Sequence, residues 1–298
     1  MGRYVFLDSN RILFIKLIKL KTSVTKKNTK YKTNFLALAI ALVFAMGTLA
    51  PRRAHAIAAG IAGTASIVPG LGQVIEGNFL EGLSWFSSVV LLMASSNGLV
   101  RQVGFDLWLY NSYDAYRDAK PSDNRVTQFN VFQNYLAAVN PMNLIDPVGA
   151  PVIGLGAYGG SSKGYPNLRN PARMAMFGFV GMGEEGLFRG FIFPAFTWLT
   201  FDSKILGAIT SSAAFAAFHA VGGKDNLYFS PMIQRFCMGL IFSYQTDRNH
   251  YDLRKGIFAH AWYDILVDGG SYVAAPGTRA GNAPLFARPN GIQMTLPF

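Results

Sequence analysis

The chain has 298 residues, of which 51% are hydrophobic and 14% charged, against about 25% charged in an ordinary soluble domain, which argues against a plain water-soluble enzyme. Lys and Arg outnumber Asp and Glu by 27 to 16, but residues 1–33 hold nine of the bases and one acid, Asp8, so the head carries +8 and the remainder +3. Such a head ahead of an apolar stretch orients a protein in a bilayer. Nucleic-acid binding would need bases on a folded face among aromatics, so no nucleic acid is expected as a partner. The single Cys237 excludes an intrachain disulfide and any multi-cysteine metal site.

Residues 33–51 are uncharged and are followed by Ala54-His55-Ala56, a small-x-small triplet of the kind signal peptidase cuts. Residues 1–56 therefore read as a signal peptide or an N-terminal anchor. Residues 54–75 are also uncharged, but Pro69, Gly70 and Gly72 break any helix there, giving a short span or re-entrant element that turns near Gly77-Asn78. The 19 uncharged residues 82–100 match a hydrocarbon core about 30 Å thick and read as a transmembrane helix. Residues 101–125 place Trp108, Tyr113 and Tyr116 among charges, as an amphipathic helix at the bilayer surface would. Residues 57–125 are thus expected to form an N-terminal membrane module of one or two spans plus that helix. Residues 126–170 form a connector with a short helix at 131–139. From Pro171 the chain predicts four closely spaced helices, at 172–200, 203–221, 228–246 and 251–268, before an irregular tail at 271–298.

Within those four helices stand residues that packing does not require. An ionisable side chain near the bilayer centre costs about 2.5–3.5 kcal/mol, so its presence points to function. Glu185 and Arg189 lie four apart on one helical face, acid before base, while Glu184 lies about 100° around the helix. One arginine cannot easily satisfy both acids, so one carboxylate is left for other work. Gly181, Gly183, Gly186 and Gly190 let neighbouring helices approach closely. On the next helix Phe215 and His219 share a face, and on the last one His260 and Asp264 do. A structural ion pair or a satisfied core histidine explains any one of these alone; three helices each aiming titratable groups inward are harder to explain that way.

Glu-Glu-x-x-x-Arg at 184–189, Phe-x-x-x-His at 215–219 and His-x-x-x-Asp at 260–264, in that order on successive apolar helices, resemble the CPBP family of intramembrane endopeptidases, which includes CAAX proteases and bacteriocin-processing (Abi) proteins. The resemblance covers residues 171–268 and implies an all-α fold, a polytopic integral membrane helical bundle with an intramembrane polar cavity. Residues 171–270 would be its catalytic core. It implies Glu184 as general base, His219 sharing the attacked water, Glu185 held by Arg189, and His260 with residue 264 at the oxyanion. Many relatives have asparagine where Asp264 stands, and an ionised aspartate accepts but does not donate. Asp264 is therefore expected to orient His260, with His260 as the donor.

The implied partners are a membrane-associated peptide or protein substrate and the lipid bilayer, and the expected location is a bacterial inner membrane. No cofactor is expected, with zinc as the alternative, since two histidines and a glutamate resemble a zinc set although no His-Glu-x-x-His occurs. The competing readings are an inactive membrane scaffold or an ion-coupled transporter using the buried Glu, Arg and His cluster. Arg248, Arg254 and Lys255 favour a cytoplasmic turn between the last two helices.

Overall fold

The computed structural model describes residues 54–119, 129–161, 171–220 and 229–268, and these are helical with turns between; no strand occurs among them. The all-α expectation holds. Of the expected leader over 1–56, residues 1–53 lie outside the described residues and Ala54–Ala56 open the first helix; the tail over 271–298 also lies outside them.

Helix α1 (Ala54–Ala65) stops where Pro69-Gly70 breaks the path, and α2 (Leu71–Ile75) follows. Gly70 sits at φ 79°, and a Cβ there would collide with the Gly82 carbonyl, so only glycine lets α2 lie against the next helix. Gly77, at φ 88°, makes the turn expected near 77–78. Helix α3 is Phe79–Met93 and α4 is Gly98–Ala119.

These two helices correct two expectations. The uncharged run 82–100 is not one helix: it breaks between Met93 and Gly98, where Ser95 Oγ accepts from Asn97 N at 3.2 Å and Asn97 Oδ1 accepts from Leu99 N at 2.9 Å, starting a new helix. The 15 residues of α3 rise about 22 Å, short of a hydrocarbon core of about 30 Å. No helix among the described residues is long and apolar enough to cross a membrane. Secondly, α4 is a central helix rather than a surface one. Leu109 through Tyr116 are all buried, with Tyr110, Tyr113 and Tyr116 in the main core cluster beside Met182, Phe191, Leu253 and Ile257.

The polar residues of α4 are matched from elsewhere. Asn111 Oδ1 accepts from Gly70 N at 2.8 Å; Asp114 Oδ2 accepts from Trp85 Nε1 at 2.8 Å and Gln73 Nε2 at 3.3 Å. The Gly-Leu-Gly-Gln and Trp85 segments are thereby pinned to α4 by buried hydrogen bonds.

Helix α5 (Val131–Ala137) opens with a capping box between Asn130 and Gln133, and a 3₁₀ turn (Pro141–Leu144) leads to α6 (Gly149–Ser161). Asp146, in the turn before α6, is buried. It accepts from Gly149 N at 2.7 Å and from Gln245 Nε2 at 2.7 Å, with Lys255 Nζ 4.0 Å away, so one carboxylate ties the connector to the last two helices.

The C-terminal helices fall where the sequence puts them. Helix α7 (Pro171–Glu185) continues through a π-helical segment, Gly186–Ile192, into α8 (Phe193–Leu199). Then come α9 (Lys204–Ala220), α10 (Phe229–Arg248) and α11 (Arg254–Asp268). The glycines of α7 and the π segment do bring helices together. A Cβ on Gly183 would collide with the Asp106 carbonyl, and one on Gly181 would stand 2.8 Å from the Ile257 carbonyl. Tyr110 and Tyr113 press on Gly186 and Gly190.

Candidate active site

The six residues singled out from the sequence converge. Glu184 and Glu185 close α7, Arg189 sits in the π segment, His219 is in the last turn of α9, and His260 and Asp264 share a face of α11. Glu185 and Arg189 are fully buried, and Glu184 and His260 nearly so.

The two glutamates face different partners, as their offset around the helix requires. Glu185 Oε1 pairs with Arg189 Nη1 at 3.2 Å and accepts from His260 Nδ1 at 2.7 Å. Glu184 Oε2 lies 3.5 Å from His219 Nε2 and 3.5 Å from His260 Nε2. The π segment matters here, because the wider turn after Glu185 carries Arg189 while leaving the acid–base pair intact; such bulges recur at functional sites.

The orientation of His260 falls to Glu185 rather than to Asp264. The Nδ1 contact at 2.7 Å is a charge-assisted hydrogen bond, whereas Asp264 Oδ2 stands 3.8 Å from Nε2, beyond hydrogen-bond reach. Adjacent placement on α11 brought the aspartate near; the carboxylate that grips the ring comes from another helix.

His219 is fixed as well. Its Nδ1 lies 2.9 Å from the Phe215 carbonyl, which is an acceptor, so the ring proton sits on Nδ1 and the Nε2 lone pair is turned to Glu184. Phe215 has a second use. Its ring lies 4.4 Å from the Arg189 guanidinium carbon, with Phe242 at 5.2 Å and Phe188 at 5.8 Å. Three aromatic faces thus surround a guanidinium that has left water entirely, and Glu185 supplies the counter-charge.

Two contributors escaped the sequence reading, both on α10. Phe242 stacks flat on His260, with centroids 5.1 Å apart and planes at 14°. Arg235 interacts electrostatically with Glu184, His219 and Tyr263. The signal for Arg235 was present, as the one charge in the first half of α10, but its direction depends on how α10 packs. That packing is set by Gly239, where an added Cβ would stand 2.8 Å from Ser212 Cα.

For the zinc alternative, Glu184 Oε2 lies 3.5 Å from His219 Nε2 and from His260 Nε2, where tetrahedral ligands about 2.1 Å from zinc stand roughly 3.4 Å apart. The His260 Nδ1 is committed to Glu185. Among the described residues Glu81, Asp114 and Asp118 bring one carboxylate oxygen each within 4.8 Å of the others, but Arg117 Nη2 already pairs with Asp114 at 2.6 Å and Asp118 at 2.9 Å.

Residues 170–266 match the family model described as "Type II CAAX prenyl endopeptidase Rce1-like". The matched segment runs from the start of α7 into the last turn of α11 and contains all six residues. No curated protein and no solved structure matches the chain.

Proposed function

We propose that this chain, whose residues 170–266 belong to the CPBP (CAAX protease) family, is an intramembrane endopeptidase that hydrolyses a peptide bond of a membrane-associated protein or peptide with a water activated by Glu184. The carrying observation is the facing pair of acceptors: the lone pair on His219 Nε2 and the Glu184 carboxylate, 3.5 Å apart. Two facing acceptors repel, and a water that donates one O–H to each relieves the repulsion.

In this reading the water bonds to the carbonyl carbon while Glu184 takes its proton, with His219 holding the second O–H. The C=O electron pair moves onto oxygen, where His260 donates from Nε2, its ring held through Nδ1 by Glu185. Collapse of the tetrahedral intermediate breaks the C–N bond, and Glu184 returns its proton to the departing amine. Arg189, boxed by Phe188, Phe215 and Phe242, balances Glu185 and holds it against His260.

A bilayer setting is supported by the outer surface. Leu80 and Leu91 of α3 and Ile205 of α9 are 73–79% exposed, and Phe79, Leu83, Phe86 and Val90 extend the α3 patch. An apolar face of that extent is costly in water and suits lipid. A bacterial inner membrane accords with the basic head.

The test is Glu184→Gln, which keeps volume and removes the base. Peptide cleavage by the purified protein in detergent should fall by 10³-fold or more while the helical signal and melting midpoint persist. A scaffold or an ion-coupled transporter would lose no cleavage, having none to lose.

A further inference from the structure

Helix α10 presents Arg235, Gly239 and Phe242 at positions i, i+4 and i+7, a single stripe. The lower two members already face the site: the Gly239 carbonyl is 3.5 Å from Arg189 Nη2, and Phe242 stacks on His260. Arg235 continues the stripe by one turn, and its charge acts on Glu184 and His219. The residue is half-buried, and its Nη1 is out of solvent.

The charge inventory says what such a group is for. Three carboxylates, on Glu184, Glu185 and Asp264, surround His260. A fourth negative charge, on the carbonyl oxygen of a tetrahedral intermediate, would develop among them, and Asp264 in its ionised form offers no hydrogen to it. His260 is one donor; such an oxygen is ordinarily held by two. A guanidinium combines a fixed positive charge with a planar fork of N–H groups.

We propose that Arg235 is the second oxyanion donor of this site, supplying from α10 the N–H and the positive charge that Asp264 does not. The inference rests on the hydrolytic reading above. During the reaction the guanidinium exchanges no proton. It binds the oxygen as the C=O electron pair moves onto it and releases it when the C–N bond breaks.

Wild type, E184Q, R235Q, R235K and the double variant R235Q/D264N are purified in detergent. They are assayed on internally quenched peptides chosen by wild-type cleavage from a library with and without a farnesylated cysteine, each made with a free and an amidated C-terminus. R235Q is expected to lower kcat by about 10²–10³-fold with KM little changed, whichever C-terminus is used. R235K should lose at least tenfold, because an ammonium lacks the fork. Adding D264N to R235Q should recover tenfold or more, because an asparagine amide brings an N–H to the deficient side. Should R235Q lose its helical signal on heating earlier than wild type, the R235K loss carries the decision.

A rise in KM confined to peptides with a free carboxylate would make Arg235 a reader of the substrate C-terminus and overturn the proposal. So would kcat values for R235Q and R235K equal to wild type, or a double variant no better than R235Q. E184Q separates the two levels: full cleavage by E184Q, or no cleavage of any peptide by wild type, overturns the hydrolytic reading itself, whereas loss in E184Q with no loss in R235Q overturns only this role for Arg235.

Discussion

Glu185 and His260, 75 residues apart in sequence, meet through a 2.7 Å hydrogen bond from Nδ1 to Oε1, and the same oxygen pairs with Arg189. One buried carboxylate therefore sets the ring that faces Glu184 and fixes the distance between α7 and α11. Glu185→Gln should consequently lower cleavage and stability together, since breaking a buried pair costs about 3–5 kcal/mol. Thermal melts run beside the cleavage assay check this: a variant that loses activity at an unchanged midpoint would show that the pair has no structural share.

Phe242→Leu removes the flat stack on His260 and one of three faces around Arg189. The expected loss is about 1–2 kcal/mol from area and cation–π contact. Because the ring it supports should wander, kcat should fall more than KM rises. Steady-state kinetics on a cleaved peptide measures that split, and an equal change in both parameters would assign Phe242 to packing alone.

Asp146 gives a dependence on pH. Burial opposes its ionised form, but the hydrogen bonds from Gly149, Gln245 and Asn249, with the Lys255 charge, outweigh it and hold the carboxyl below its ordinary value of 3.8. A carboxyl lowered by folding stabilises the fold above its unfolded value, and that contribution is lost as pH falls through the folded value. Asp146→Asn should lower stability at pH 7 by about 1–2 kcal/mol. The gap in melting midpoint to wild type should hold from pH 7 to 5 and close below 3.8. A gap unchanged at pH 3 would exclude the charge as its source.

Two glycines on different helices should respond oppositely to alanine. At Gly183 the new methyl meets the Asp106 backbone, which a side-chain rotation cannot relieve. Gly183→Ala should cost about 3 kcal/mol or more. At Gly154, where nothing lies within 4 Å, alanine should gain up to about 1 kcal/mol of helix propensity. Denaturation midpoints of the two variants measure both signs at once.

The helices at 171–199, 204–220, 229–248 and 254–268 were legible because apolar runs broken by few ionisable residues mark both the helix and its inward face. Local spacing also showed that Arg189 answers Glu185 and leaves Glu184 to other partners. The break at Ala94–Asn97 was not legible. An uncharged window registers apolarity, and the Asn97 side chain that starts a new helix counts there as one more neutral residue. Nor could local pattern show that α4 is buried, because the partners of Asn111 and Asp114 come from Gly70, Gln73 and Trp85, roughly 29–41 residues away. Arg235 and Phe242 belong to the site only through the angle at which α10 lies on α9, and the orientation of His260 by Glu185 is likewise a contact between helices.

The π segment Gly186–Ile192 makes the site sensitive to counting as well as to chemistry. Removing one residue after Arg189 would let the ordinary helical ladder run from α7 into α8 with the two helices nearly in phase, but the residues inside the segment, Arg189 among them, would turn to a different bearing. The glutamates would keep His219 and His260 and α8 its seat against Gly207, while Arg189 would leave its place between Glu185 and the three aromatic rings. A deletion of this kind leaves every motif residue in the chain. An otherwise intact set of Glu, Arg, His and Asp on a length-altered background would therefore not by itself report a working centre.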